Sequence, residues 1–393
     1  MSKLKEEDNN RNNNFNKSLV DSFGRVARKL RLSVTDRCNM QCIYCMPRDE
    51  QGNNNKTESR SDNNNSSSSS AIGKRWFSKD EVLSYEEFLR ISHIMAQLGI
   101  EKIRITGGEP LLRPRVQDLI AGLSKINGIK SISMTTNGLF LGEKADLLKK
   151  SGLQSVNISL DTFKAGRFKA MCGVDGLHKV LNSIHAAERA GLKVKINTVV
   201  VRGWNDDEVI DFANFARETG HVVRFIEFMP LDGSGIWAPD LVVSKGEIIA
   251  RIRNSIGHII EEASGLIDGA DDDNNNNNDD DGARLTGAES AAPAKIYSFA
   301  DGKGTLGFIP SMTAPFCAQC DRVRITSDGR LLTCLFENPG YDIRSLLRNG
   351  KKTDQEIADY ILESIRKKPE GIVRIIRLKA LKPTLNLMHT IGG

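Results

Sequence analysis

The sequence predicts an α/β fold built on a parallel sheet. Three observations predict it: six apolar runs of strand length, a helical stretch after each, and Gly, Asn or Asp at the boundaries. The runs are 30–34 (LRLSV), 102–106 (KIRIT), 131–135 (SISMT), 155–160 (SVNISL), 194–201 (VKINTVVV) and 222–228 (VVRFIEF), all rich in Val and Ile. The helical stretches are 85–98, 114–126, 142–151, 175–190, 205–219 and 244–254. In 175–190, Leu177, Val180, Leu181, Ile184 and Ala187 recur at helical spacing. Each crossover helix returns the chain in the same direction, so the strands lie parallel. The 393 residues suffice for one large barrel or two medium domains. Periodicity leaves an open doubly wound sheet and an incomplete barrel both standing.

After these units the pattern changes. YSFADGKGTLGFIP and RVRITSDGRLLTCLF read as two hairpins, the second turning at Ser327, Asp328 and Gly329. Helices are expected at about 342–349 and 353–367, followed by a basic tail, 371–393, that ends in Gly392 and Gly393. Three segments have too little apolar content to offset the entropy of ordering them: 1–16, the insertion 51–70, and the acidic Asn/Asp run 268–283. They are expected to be disordered surface loops.

The formal net charge is +5, yet 271–281 alone holds six Asp and no Lys or Arg; without them the rest of the chain carries +11. A basic body suits an anionic ligand, a nucleic acid or a nucleotide phosphate, and equally a well-solvated surface. No apolar run reaches the length of a membrane span. The acidic, Asn-rich N-terminus is neither a secretory signal nor a good transit peptide. The expected compartment is the cytoplasm, or the mitochondrial matrix for a eukaryotic chain.

Seven cysteines fall into two groups of three, 38, 42, 45 and 317, 320, 334, with Cys172 alone and read as incidental. In a long chain without an export signal, clustered cysteines read as metal ligands rather than disulfides. Cys38, Cys42 and Cys45 follow the first strand, at the end that faces the active site in parallel α/β folds. Three thiolates on a short loop can hold three corners of a [4Fe–4S] cube and leave one iron open, the mark of a catalytic centre. A structural zinc site is the alternative, but 30–50 contains no His and no fourth Cys. Cys317, Cys320 and Cys334 form a second trio, for which a zinc knuckle is the alternative. Arg322 and Arg324 follow Cys320 on one strand face, suited to phosphate.

The strand ends carry polar groups: Gly107, Gly108 and Glu109; Thr135, Thr136 and Asn137; Ser159 and Asp161; Lys195 and Asn197; Glu227 and Met229. Together they describe a ligand-filled mouth. Two glycines allow close backbone approach to a ligand, with the Glu109 carboxylate alongside, although GGEP taken alone reads first as an ordinary tight turn.

Cys-x-x-x-Cys-x-x-Cys after the first strand, with Tyr44 before the last cysteine, resembles the radical S-adenosylmethionine superfamily. That resemblance implies a partial (β/α)6 TIM-type barrel, and a cluster whose open iron binds S-adenosylmethionine and, when reduced, cleaves it to a 5′-deoxyadenosyl radical. LRLSVTDRCNMQCIYCMP, KIRITGGEPLLR, TTNG, VNISLD, VRFIEFMP, the rear cysteines with their Arg pair, and the Gly-Gly terminus together resemble one family within it, the GTP 3′,8-cyclases of molybdenum-cofactor biosynthesis. The resemblance covers about 22–393. It implies a disordered segment 1–21, a barrel 22–256, and a C-terminal region 257–393 that carries a second Fe–S cluster.

It further implies a lyase that cyclises GTP to 3′,8-cyclo-7,8-dihydro-GTP by removing the ribose 3′ hydrogen, with two [4Fe–4S] clusters and S-adenosylmethionine as cofactors. Cys38, Cys42 and Cys45 would hold the first cluster, and Cys317, Cys320 and Cys334 the second, whose open iron faces the guanine. Tyr44, Gly108, Ser159 and Met229 would contact S-adenosylmethionine; Arg31, Arg104, Thr135, Lys195, Arg322 and Arg324 would bind GTP. Gly392 and Gly393 would thread into the barrel. The partners implied are a low-potential electron donor and cyclic pyranopterin monophosphate synthase, with no nucleic acid and no membrane, in a monomer or homodimer. The rivals are a peptide-modifying radical enzyme, which needs no triphosphate clamp, and a zinc-stabilised nucleic-acid-binding protein, which explains neither GGEP nor the strand ends.

Overall fold

A computed structural model describes residues 18–46, 76–231, 235–262, 293–378 and 388–392. The segments 1–16, 51–70 and 268–283, and Gly393, lie outside the described residues; of the segment 1–21 expected to be disordered, residues 18–21 are ordered, with Leu19 buried in the core and Val20 bridged to Val26.

The six expected strands are β1 (Lys29–Ser33), β2 (Lys102–Thr106), β3 (Ser131–Thr136), β4 (Ser155–Ser159), β5 (Lys193–Val200) and β6 (Val222–Glu227). They pair in sequence order and all in parallel. The helices between and after them are α1 (Tyr85–Gln97), α2 (Val116–Leu123), α3 (Leu141–Lys150), α4 (Ala165–Cys172), α5 (Leu177–Arg189), α6 (Val209–Thr219) and α7 (Lys245–Ser255). Their starts follow local chemistry. Ser84 and Glu87 form a capping box at α1, and the Ser244 side chain caps α7. Helix α4 lacks a clear apolar stripe and escaped the sequence reading.

The two hairpins form, but they are not a separate layer. They comprise β8 (Lys295–Phe299) with β9 (Thr305–Ile309), and β10 (Arg322–Ile325) with β11 (Arg330–Leu332); β7 (Ile259–Glu261) pairs antiparallel with β8. Strand β9 joins β6 in parallel and β10 joins β1 in parallel, so the hairpins extend both edges of the barrel sheet. The order is β12-β11-β10-β1-β2-β3-β4-β5-β6-β9-β8-β7, with β12 at Tyr341–Asp342. Eight adjacent strands therefore run parallel, where periodicity indicated six. Stacking of Phe225 on Phe308, ring centres 5.7 Å apart, packs the β6–β9 seam.

The C-terminal chain forms α8 (Arg344–Arg348), α9 (Asp354–Arg366), α10 (Ile372–Arg377) and α11 (Met388–Ile391). No helix among the described residues is long and apolar enough to cross a membrane.

Candidate active site

The curved sheet encloses a cavity of about 320 Å³, lined by residues from all six central strands. Cys38, Cys42, Cys45 and Tyr44 line it, as do Gly108, Ser159 and Met229, and so do Arg31, Arg104, Thr135, Lys195, Arg322 and Arg324.

Strand register explains the concentration of charge. Arg31 pairs with Arg324 on one side and with Arg104 on the other; one pleat earlier, Lys29 pairs with Arg322 and Lys102. Residues two apart on a strand share a face, so two rows of three cations stack inside the barrel. With Lys195 and Arg224, eight cationic side chains line the cavity against one carboxylate, Asp161. Burial, and then the neighbouring Arg324, Arg104 and Arg322 charges, hold the Arg31 guanidinium well below its usual range. Arg324 is lowered to about 10 by burial and by Arg322. Lys29, Lys102 and Arg224 were missed in the sequence, although K-L-R-L and K-I-R-I show the period-two alternation that places them.

The first trio sits on a loop fastened from three sides. Gln41 N donates to the Cys172 carbonyl at 2.8 Å and Ile43 N to the Met171 carbonyl at 3.0 Å, which ties the loop to the end of α4. Cys172 is thus not incidental to the architecture: it is buried, its carbonyl anchors the loop, and it lines the cavity. The Tyr44 hydroxyl donates to Asp161, whose other oxygen accepts from Val199 N at 2.8 Å.

On the third side, Gly108 N donates to the Thr35 carbonyl at 2.7 Å and Glu109 N to the Arg37 carbonyl at 2.8 Å. The GGEP amides are therefore occupied by the cysteine loop. A Cβ on Gly108 would lie 2.3 Å from the Arg37 carbonyl oxygen, so glycine here is required by backbone packing. Gly108→Ala should displace the loop before Cys38. Iron loading at the first trio should fall while Gly166→Ala, at an open position, loads normally; equal loading of the two would contradict the assignment.

Two carboxylates expected at the mouth face elsewhere, because both satisfy buried backbone instead. Glu109 accepts from Leu111 N (3.0 Å), Thr136 Oγ1 (2.8 Å) and Asn137 N (2.7 Å). Glu227 accepts from Lys245 N (2.9 Å) and from Met312 N and Thr313 N (both 2.8 Å). Burial pushes the Glu109 carboxyl from 4.5 up to about 7, against those hydrogen bonds. The folded state then keeps a proton that the unfolded state loses between those values, so this contribution to stability declines as pH rises through the window. Glu109→Gln should shrink the fall in Tm between pH 5 and pH 8, whatever its effect on overall stability; an unchanged fall would refute the reading.

Each cysteine trio is close enough for its thiols to feel one another's charge. Burial pushes Cys38 up to about 12 and raises Cys45 well above the usual thiol range, each raised further by the neighbouring Cys42. Buried thiols of this kind ionise only when a metal supplies the opposing charge, and three on one short loop fit a cluster with one open corner. No three His, Cys, Asp or Glu among the described residues are drawn together as ligands of a single ion. Corners of an iron–sulfur cube stand further apart than the ligands of one ion.

The second trio lies beside the cavity wall, where its chain neighbours Phe316 and Leu335 take part. Cys317 and Cys320 occupy a turn before β10, and Cys334 follows β11. Burial alone would raise the Cys320 thiol, but Arg322 and Lys368 bring it down to about 7. The chain's end returns to the barrel. Arg324 donates to the Gly392 carbonyl, Ser33 Oγ to the Thr390 carbonyl at 3.3 Å, and a Cβ on Gly392 would lie 2.5 Å from Thr106 Cγ2.

A profile of the Radical SAM superfamily matches residues 32–216, and one described as Molybdenum Cofactor Synthesis C matches 281–373. The chain is 40% identical over 376 residues to "GTP 3′,8-cyclase" of Thermodesulfovibrio yellowstonii, covering 95% of this chain and 100% of that protein. The chain belongs to the GTP 3′,8-cyclase family. It is also 35% identical over 381 residues to the family member of Listeria monocytogenes (95% of this chain, 99% of that one), and 36% over 375 residues to that of Clostridium perfringens (95% and 100%). Among solved structures, Streptococcus suis SuiB bound to S-adenosylmethionine is similar with a TM-score of 0.53 at 14% identity, over 92% of this chain and 75% of SuiB. That likeness bears on the fold alone.

Proposed function

We propose that this chain is an enzyme, a lyase, that converts GTP into 3′,8-cyclo-7,8-dihydro-GTP with S-adenosylmethionine, the first step of molybdenum-cofactor biosynthesis. The observation that carries the reading is one cavity in which a cysteine trio and eight cationic side chains face a common space. Cys38, Cys42 and Cys45 would hold a [4Fe–4S] cluster, with Tyr44, Gly108, Ser159 and Met229 around S-adenosylmethionine. Bound there, cluster and S-adenosylmethionine supply the radical chemistry. Cys317, Cys320 and Cys334 would hold a second cluster beside the guanine.

The chain's own contribution is binding, orientation and exclusion of water. Guanidiniums bind phosphate oxygens bidentately, so Arg31, Arg104, Arg322 and Arg324 would take the triphosphate, with Lys195 and Thr135 across the barrel. An anion arriving among the clustered cations would ease their mutual repulsion, which favours a polyanionic substrate over a neutral one. Holding the ribose rigidly against the S-adenosylmethionine site replaces a diffusive encounter by a fixed geometry. The tail, held by Arg324 and Ser33, brings Met388 and His389 to the cavity lining. A low-potential electron donor and cyclic pyranopterin monophosphate synthase would act before and after it.

Anaerobic turnover with GTP, followed by mass spectrometry, tests the reading. GTP should be consumed and a cyclised isomer formed together with 5′-deoxyadenosine. Unchanged GTP alongside normal 5′-deoxyadenosine formation would point to a peptide substrate instead.

A further inference from the structure

Four consecutive residues beyond α9 close the outer side of the second cysteine trio. Lys368 is buried, and its ammonium donates to the carbonyls of Cys320 at 2.8 Å and Arg322 at 3.0 Å and lies 3.7 Å from the Cys320 sulfur. Those contacts use all three of its donors. Arg25, paired with Asp21 at 2.6 Å, donates to the Pro369 carbonyl at 2.7 Å and the Cys317 carbonyl at 2.9 Å. Gly371, at φ +104°, packs so tightly that a Cβ would lie 2.6 Å from the Cys317 sulfur. Both cysteines of the Cys317–Cys320 turn are thus fastened from one segment. A neutral side chain would serve packing alone; a buried ammonium adds charge beside a sulfur.

We propose that Lys368 is a positioning residue for the second iron–sulfur cluster, fixing Cys320 and making that cluster easier to reduce. The inference rests on the proposed second cluster. One-electron reduction adds negative charge to the cluster and makes or breaks no bond. A desolvated ammonium next to a ligand sulfur stabilises the more negative state, because hydrogen bonds and charge around the sulfurs set the potential. Arg322, with Nη2 4.0 Å from the same sulfur, lies on the cavity side, where substrate phosphate competes for it. Lys368 has no such competitor and holds its charge on the cluster through the reaction.

The test is an EPR-monitored redox titration of the reconstituted full-length chain in a Cys42→Ala background, which leaves the second cluster alone. Iron and sulfide are determined in parallel, for Lys368, Lys368→Met and Lys368→Arg. Lys368→Met should disfavour reduction at least tenfold, a fall of about 59 mV for one electron, and Lys368→Arg should stay close to the parent. A fully loaded Lys368→Met at the parent potential overturns the proposal. If Lys368→Met loses its iron, Lys368→Arg decides: loading at the parent potential supports the charge role, and loss there too assigns Lys368 to packing and overturns it. A parent that carries no iron at the second trio defeats the two-cluster reading itself, a different failure.

Discussion

Cys42→Ala should abolish 5′-deoxyadenosine formation and, on the two-cluster proposal, lower iron from about eight to about four per chain. Alanine isolates the thiolate. The Cys42 carbonyl accepts from Cys45 N at 3.0 Å and Met46 N at 3.1 Å, and these main-chain bonds survive the change. The loop also stays tied to α4 through Gln41 and Ile43 and to Asp161 through Tyr44. What would be lost is one of the three ligands proposed for the cluster, and with it the site at which S-adenosylmethionine would be cleaved. The second trio, carried by other strands, should load as before. Cleavage at the parent rate in this variant would remove the first trio from the chemistry.

Arg31→Met should weaken GTP binding and stabilise the substrate-free protein at the same time. Arg31 stands between Arg324 and Arg104 in register, and its lowered guanidinium pKa records both burial and the repulsion of those neighbours. Methionine retains most of the apolar stem and removes the charge, so Tm without GTP should rise. Charge-assisted bonds to phosphate contribute about 1.5–3 kcal/mol, so affinity should fall roughly 10- to 100-fold. Calorimetric titration with GTP and thermal melts read the two effects separately. Lower stability together with unchanged affinity would make Arg31 a structural residue.

Much of this was legible because the signals are local. Six β–α units declare themselves by apolar period and by Gly and Asn boundaries, and the CxxxCxxC loop sits where its strand ends. The docking of β9 on β6 and of β10 on β1 was not legible: a hairpin's pattern fixes its two strands and not the edge it joins, which long-range register decides. Glu109 and Glu227 misled for a related reason. A carboxylate at a strand end looks like a ligand group until its buried backbone donors are seen. Lys29 and Lys102 were within reach, since each precedes an Arg by two residues on the same face. Lys368 was not, because only tertiary packing brings a residue after α9 to Cys320.

The central claim is that the S-adenosylmethionine site and the phosphate-binding rows share one cavity, so that hydrogen passes directly from GTP. Anaerobic turnover with GTP deuterated at the ribose 3′ position tests it by mass spectrometry of the 5′-deoxyadenosine released. The account predicts one deuterium per molecule; unlabelled 5′-deoxyadenosine formed while GTP is consumed would contradict it.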